Sequence, residues 1–417
     1  MAMNKMLASD SLAKKRIEHS SPRKEWGRNI IAALTFFFFV SIALNPSVRS
    51  GDDTLTIYLY WITPFFDYGF IGFIRTNVIE AFRKQSRRLS FILLCMAAIL
   101  LFGGIVVVLK VLTLLFGLAY LIYCMRNGLI KWLFIMLNIN VLIAIVQFCG
   151  YYLISPEFAY SIGPTEVAGK IWHQFSTETF TNFYSITGGF IRVSGWSREG
   201  GFFSSLLVMG ASLSYLIQRG RDRIIQLGIC AIGIALSLSK SSILLLALGV
   251  ILLFEKKINR LPASVTSIFV VAILFIGAVI GDKLGLYTVE QISIAQRIGS
   301  PIALLSFSPE QLAFGAQSLS EVAHPSYLTE LLSESSLTLT GFAGSIQIAG
   351  FIALFVFLVM FHAIGLRSAG FAFVFISAIT TDLFTSTSFI VLAFFCALLL
   401  SQPAHIGKTT KLAKQND

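Results

Sequence analysis

Long apolar runs broken by short polar punctuation dominate this chain. A helix of about 20 apolar residues crosses the hydrocarbon core of a bilayer, and fewer suffice where a helix is short or broken. By that measure spans are predicted near 29–46, 55–74, 89–109, 111–125, 130–154, 201–218, 224–239, 241–254, 262–281, 341–363, 369–381 and 383–401, about twelve in all. Those within 224–254 and 369–401 are short and joined by tight turns. The pattern predicts an all-α, polytopic integral membrane protein. A basic tail covers 1–28, a membrane domain 29–401, and a second basic tail 402–417. Polar residues gather in two long connections, about 155–200 and 282–340. No internal repeat is visible.

Composition agrees with this reading. The 417 residues are 56% hydrophobic and 13% charged, against roughly a quarter charged in soluble domains, and mean hydropathy is +0.79. A net charge of +11 invites a nucleic-acid partner. The basic residues, however, lie in short clusters between apolar spans and form no basic face on a soluble domain, so nucleic acid is excluded. With both termini in the cytoplasm, the inner side collects 24 of the 32 Lys and Arg, including Arg75 to Arg88, Arg219 to Arg223, Lys256, Lys257 and Arg260. The acids do the reverse, with 13 or 14 of 21 outside. This is the charge bias of the positive-inside rule, and it puts both long connections on the outer side. The basic stretch ahead of the first span, from Lys5 to Arg28, is too long for a cleavable signal, so that span is read as a retained anchor. Cys95, Cys124, Cys149, Cys230 and Cys396 fall in or beside apolar segments without metal-ligand spacing, and read as small apolar side chains.

Charged side chains at a membrane edge are costly to desolvate and therefore pair or bind something. The first long connection ends in Arg192-Val193-Ser194-Gly195-Trp196-Ser197-Arg198-Glu199-Gly200-Gly201, directly before an apolar helix. A single arginine there would snorkel to headgroups or cap the helix. Two arginines and a glutamate among glycines point instead to a bound anion, because guanidinium matches phosphate oxygens. Lys170, His173 and Glu178 share the same connection. In the second, Gln296-Arg297-Ile298 begins an amphipathic helix running toward Phe307, followed by Gly315-Ala316-Gln317 and by His324 among Glu321, Glu330 and Glu334. A histidine there can exchange a proton near neutral pH or merely hydrogen-bond in a loop. Lys240, at an outer turn between two short spans, either snorkels or reaches the cavity between the two connections. No P-loop, metal-binding acidic pair in an outer connection, HExxH or serine triad is present. No metal or cofactor is therefore expected.

In order, these elements resemble the bacterial O-antigen polymerase/ligase superfamily, and most nearly the Wzy-type polymerases of O-antigen and colanic-acid-like exopolysaccharides. The resemblance rests on Arg192, Gly195 and Glu199 before a helix, on Ser239-Lys240-Ser241 after the next span, and on Arg297 before an amphipathic helix. Phe314-Gly315-Ala316 and His324-Pro325-Ser326-Tyr327-Leu328 complete it. It spans about 190–335 by motif and the whole chain by hydropathy. Lys240 stands where the family has Arg, Pro325 where it has Asn, and Gly200 where Pro often follows the Glu.

The resemblance implies a glycosyltransferase. It would move a glycan from undecaprenyl pyrophosphate onto a hydroxyl of the next lipid-linked repeat unit at the periplasmic face, without nucleotide or metal. Arg192, Arg198 and Arg297, with Lys240, would bind the pyrophosphate, and His324 or Glu199 would act as general base. Partners would be undecaprenyl-pyrophosphate-linked oligosaccharides, membrane lipids and a chain-length regulator protein. An O-antigen ligase acting on lipid A–core would use the same residues. A lipid-linked oligosaccharide flippase would instead need ionisable residues at mid-span, where Asp67 is nearly alone.

Overall fold

A helix that is apolar on every side has no stable surface in water and settles at the centre of a bundle or against lipid. In the computed structural model this sorts the helices. The structure describes residues 22–45, 47–50, 53–56, 58–172, 186–187, 190–240, 243–316, 318–385 and 387–402. Helices of eight residues or more are α1 Pro22–Val40, α2 Tyr68–Lys84, α3 Ser86–Arg126, α4 Lys131–Leu153, α5 Pro164–Trp172, α6 Gly200–Ile217 and α7 Gly220–Leu236. They continue as α8 Ile243–Ile258, α9 Ala263–Lys283, α10 Ile292–Ala303, α11 Tyr327–Glu334, α12 Gly341–Ile364, α13 Ser368–Ser377 and α14 Ser388–Leu400. The strands among the described residues form two antiparallel hairpins, Ser47–Ser50 with Asp53–Thr56 and Ile186–Thr187 with Phe190–Ile191.

Helices α6 and α14 form the centre. Both are buried over nearly their whole length, and Phe202 meets Phe389 edge to face between them at 5.4 Å. Around them pack α7 against α6, α13 against α14, α9 and α8 against α13, and α12 against α3. Among the described residues, five helices are long and apolar enough to cross a membrane: α3, α4, α6, α9 and α12. Outward-facing Leu, Ile, Val and Phe on α3, α9 and α12 give the bundle an apolar exterior, as a lipid-facing surface requires.

Three of the expected spans differ. The run at 55–74 is not one helix, because it begins in the strand Asp53–Thr56 and passes through a short helix, Leu59–Ile62, and a 3-10 turn, Thr63–Phe66. Pro64 lies in that turn and Asp67 restarts the chain as the cap of α2, its Oδ1 accepting from Gly69 N–H at 2.8 Å. The buried Asp67 also accepts from Tyr123 OH at 2.8 Å, so this acid closes a turn. The predicted spans 89–109 and 111–125 share the single run α3, which is interrupted at Gly104 (φ 77°, ψ 175°) and not near 110. Glycine tolerates that backbone, and hydropathy carries no signal for it.

The second long connection is folded. It contains the expected amphipathic helix as α10, beginning four residues earlier than Gln296, then a helix Pro309–Phe314 and α11. Gly315 (φ 92°) ends the second of these. A Cβ there would meet Gln347 O at 2.8 Å, which explains glycine in the Phe314-Gly315-Ala316 motif. The adjoining Gln317, and in the first connection His173, Glu178, Gly188 and Gly189, lie outside the described residues.

Candidate functional site

Main-chain groups inside a membrane protein must find partners within the protein, and this requirement shapes the segment that carries Arg192 and Glu199. Its turn is closed by Ser197 N–H donating to Ser194 O at 3.0 Å, with Gly195 at φ 57°. Two side-chain amides of α4 then hold it. Gln147 accepts from Gly195 N–H at 3.0 Å and donates to Gly195 O at 2.9 Å. Asn140 accepts from Trp196 N–H at 2.7 Å and donates to Ser197 Oγ at 3.1 Å. A Cβ at Gly195 would lie 2.2 Å from Asn140 Oδ1, so glycine is required by space as well as by backbone angle. Upstream, Ile191 N–H donates to the hydroxyl of Tyr152, also on α4, at 3.0 Å.

The clamped turn delivers Glu199 to the N-cap position of α6 in extended conformation (φ −157°, ψ 167°). Gly200 and Gly201 open that helix without side chains, so guanidinium groups come close. A Cβ at Gly200 would be 3.4 Å from an Arg192 terminal nitrogen, and one at Gly201 would be 3.3 Å from an Arg297 terminal nitrogen and 3.2 Å from Glu199 Oε1. Arg192 Nε also donates to Ser237 O, at the end of α7, at 3.4 Å.

Arg297 comes from α10, which is secured to the start of α12. Thr340 N–H donates to Ser300 Oγ at 2.9 Å, Thr340 Oγ1 donates to Gln296 O at 3.1 Å, and Gln296 Nε2 donates to Thr338 O at 2.7 Å. Burial pulls the Arg192 guanidinium below its ordinary value while the Glu199 carboxylate pushes the other way. Burial also dominates at Arg297, with Glu199 opposing it and Arg192 adding to the depression. Two half-buried guanidiniums and one carboxylate thus share the N-terminus of a buried helix. Their formal sum is one positive charge, to which the helix end adds about half of another. Such a centre favours an anion with several oxygens, since the forked donors of arginine suit phosphate and carboxylate.

The remaining sequence candidates have other surroundings. Arg198 turns over the ring of Phe202, with its guanidinium carbon 5.4 Å from the centroid. Lys240 is exposed, and its turn meets the site through the main-chain oxygen of Ser237. His324 is also exposed, with its main-chain N–H donating to Ser306 O at 3.1 Å. Lys170 is exposed and donates to Ser161 O at 3.3 Å. Among the described residues no three His, Cys, Asp or Glu side chains gather as a metal site. Arg198→Ala and Lys240→Ala are therefore expected to lower any activity of this site by less than about tenfold, well short of the loss of a direct transition-state donor. Rates of the purified variants check this.

Asn140 and Gln147 are not among the sequence candidates. Their signal was present: two amides seven residues apart lie on one face of an otherwise apolar span, and polar side chains inside a membrane face the interior of the bundle. Nor is Asp382 among them; its buried carboxylate accepts from Phe384 N–H and Thr385 N–H at 2.8 Å each and so shapes the turn beside the start of α12. The chain matches no protein-family model, no curated protein and no solved structure.

Proposed function

We propose that this protein is a polysaccharide polymerase of the bacterial inner membrane, with about twelve spans and both termini in the cytoplasm. It transfers a glycan from undecaprenyl pyrophosphate onto the next lipid-linked repeat unit. The observation that supports this best is the meeting of Arg192, Glu199 and Arg297 at the N-terminus of α6, in a protein whose exterior is apolar. A diphosphate on a membrane lipid is the ligand that suits a cationic, half-buried centre at a membrane edge.

In this reading the anomeric C–O bond to phosphate breaks and a C–O bond to the acceptor hydroxyl forms. Undecaprenyl diphosphate leaves with the electron pair. Arg192 and Arg297 neutralise the charge that grows on the leaving oxygens. Glu199, beside both guanidiniums, orients them. The acceptor proton goes to Glu199 or to His324. Holding two lipid-anchored substrates together supplies much of the remaining acceleration.

The test incubates purified protein in nanodiscs with undecaprenyl-pyrophosphate-linked repeat units alone. A ladder of longer glycans is expected. Transfer only to added lipid A–core would replace polymerase by ligase, and neither product from authentic substrate would sink the reading. Within the same assay, Glu199→Gln and His324→Gln separate the two bases. The variant lacking the base should fall by about 10²–10⁴-fold, the usual worth of general base catalysis.

A further inference from the structure

Helix α2 is not among the helices able to cross a membrane, and it carries three different faces. Phe70 turns inward and meets the rings of Tyr120 and Tyr123 on α3 at 5.0 and 5.4 Å. Ile71 and Val78 form an exposed apolar stripe. Thr76, Glu80 and Arg83 form an exposed polar one. Residues three, four and seven apart share a helix face, so one face meets protein, one suits lipid and one suits water. A helix of that kind lies along a membrane surface.

Its place in the fold agrees. α2 starts beside the last turn of α3, where the rings of Phe73 and Tyr123 pack at 5.6 Å. Each ring carries a guanidinium: Arg126 lies 5.3 Å from the Phe73 centroid, and Arg28 of α1 lies 5.8 Å from that of Tyr123. Arg28 donates to Asn127 Oδ1 at 2.7 Å, but its Nε is buried with no partner among the described residues. Next to it, Asn29 Oδ1 accepts from Trp132 Nε1 at 2.8 Å, which fixes the level of this corner along α4. Tyr152, whose hydroxyl holds Ile191, stands about 20 residues further along α4, or about 30 Å. That is the thickness of a hydrocarbon core, so Arg28 and Arg126 stand at the membrane face opposite the Arg192 cluster.

Few acids oppose them. Glu80 pairs with Lys84 at 2.8 Å, Asp67 is engaged by Gly69 N–H and Tyr123 OH, and Glu25 is exposed in the first turn of α1. Arg75, Arg83, Arg87 and Arg88 are exposed around the same corner. We propose that Arg28 and Arg126, with α2 beside them, form a binding site for the headgroup of an anionic phospholipid. Their forked donors match phosphate oxygens, the two rings hold both guanidiniums at the hydrocarbon edge, and the apolar stripe of α2 receives the acyl chains. A free anion would gain nothing from that stripe. The site is separate from glycan transfer and is tested without it.

The experiment titrates the full chain in neutral detergent with phosphatidylglycerol, phosphatidylcholine or inorganic phosphate and counts retained lipid by native mass spectrometry. Phosphatidylglycerol is expected to bind about tenfold more tightly than phosphatidylcholine, or roughly 1.4 kcal/mol, and inorganic phosphate should not displace it. Arg28→Gln and Arg126→Gln each remove one forked donor and should weaken phosphatidylglycerol by about tenfold. Arg83→Gln and Arg87→Gln remove the same charge from exposed neighbours and should cost less than about twofold. Equal retention of the two lipids by the unsubstituted protein would overturn the proposal without any variant. Equal losses in all four variants would reduce the site to net surface charge and overturn it too. Displacement by inorganic phosphate would replace the lipid by a free anion.

Discussion

Arg297→Ala is expected to stop glycan elongation while the protein still accumulates in the membrane. The guanidinium is half-buried beside Glu199 and the first turn of α6. Removing one donor aimed at developing negative charge lowers rates by about 10²–10³-fold. The fold should tolerate the change, because α10 is held to α12 by Gln296, Ser300 and Thr340 and not by the arginine itself. Arg297→Lys keeps the charge but loses the planar fork, so it should recover only part of the rate. The measurements are elongation rate per molecule of inserted protein and protein abundance. A variant that elongates normally would remove Arg297 from the site. One that fails to accumulate would make its role structural. Arg192→Ala separates these roles less cleanly, since Arg192 Nε also ties the end of α7 through Ser237 O.

Gln147→Leu should be the most destabilising single change near the site. The glutamine amide bonds both main-chain groups of Gly195 at 3.0 and 2.9 Å, and leucine would leave each without its partner inside the protein. Every orphaned buried group costs about 1–3 kcal/mol, so a loss of roughly 2–4 kcal/mol is expected after relaxation. Thermal unfolding of the variant in detergent measures it. Activity should fall as well, because the Gly195 turn sets where Arg192 and Glu199 stand. Gln147→Glu keeps an acceptor for Gly195 N–H and should fall between the two. A Gln147→Leu protein with unchanged melting and unchanged rate would show that the turn holds itself.

The amino-acid sequence by itself determined the helical, membrane-type character of the chain, because hydropathy is a local sum that each segment carries alone. It also brought Arg192, Gly195 and Glu199 to notice, since eight consecutive residues before an apolar helix form one local pattern. Arg297 was legible as a candidate but not as a neighbour. Its meeting with Glu199 depends on α10 docking at α12, through bonds between residues some 40 positions apart. The break at Gly104 and the turns around Pro64 and Asp67 were likewise invisible to hydropathy, which averages over the single residues that end a helix.

Only the tertiary structure decided which charges act together. It joined three of the six candidates, Arg192, Glu199 and Arg297, while Lys240 and His324 stand exposed and Arg198 lies over Phe202. It also gave Asn140 and Gln147 their task. An amide in an apolar span says that a partner exists, but only the folded chain shows that the partner is the Gly195 turn. The physical reason is the same throughout: burial and hydrogen bonding belong to pairs of groups, and distant pairs acquire a geometry only when the helices that carry them pack.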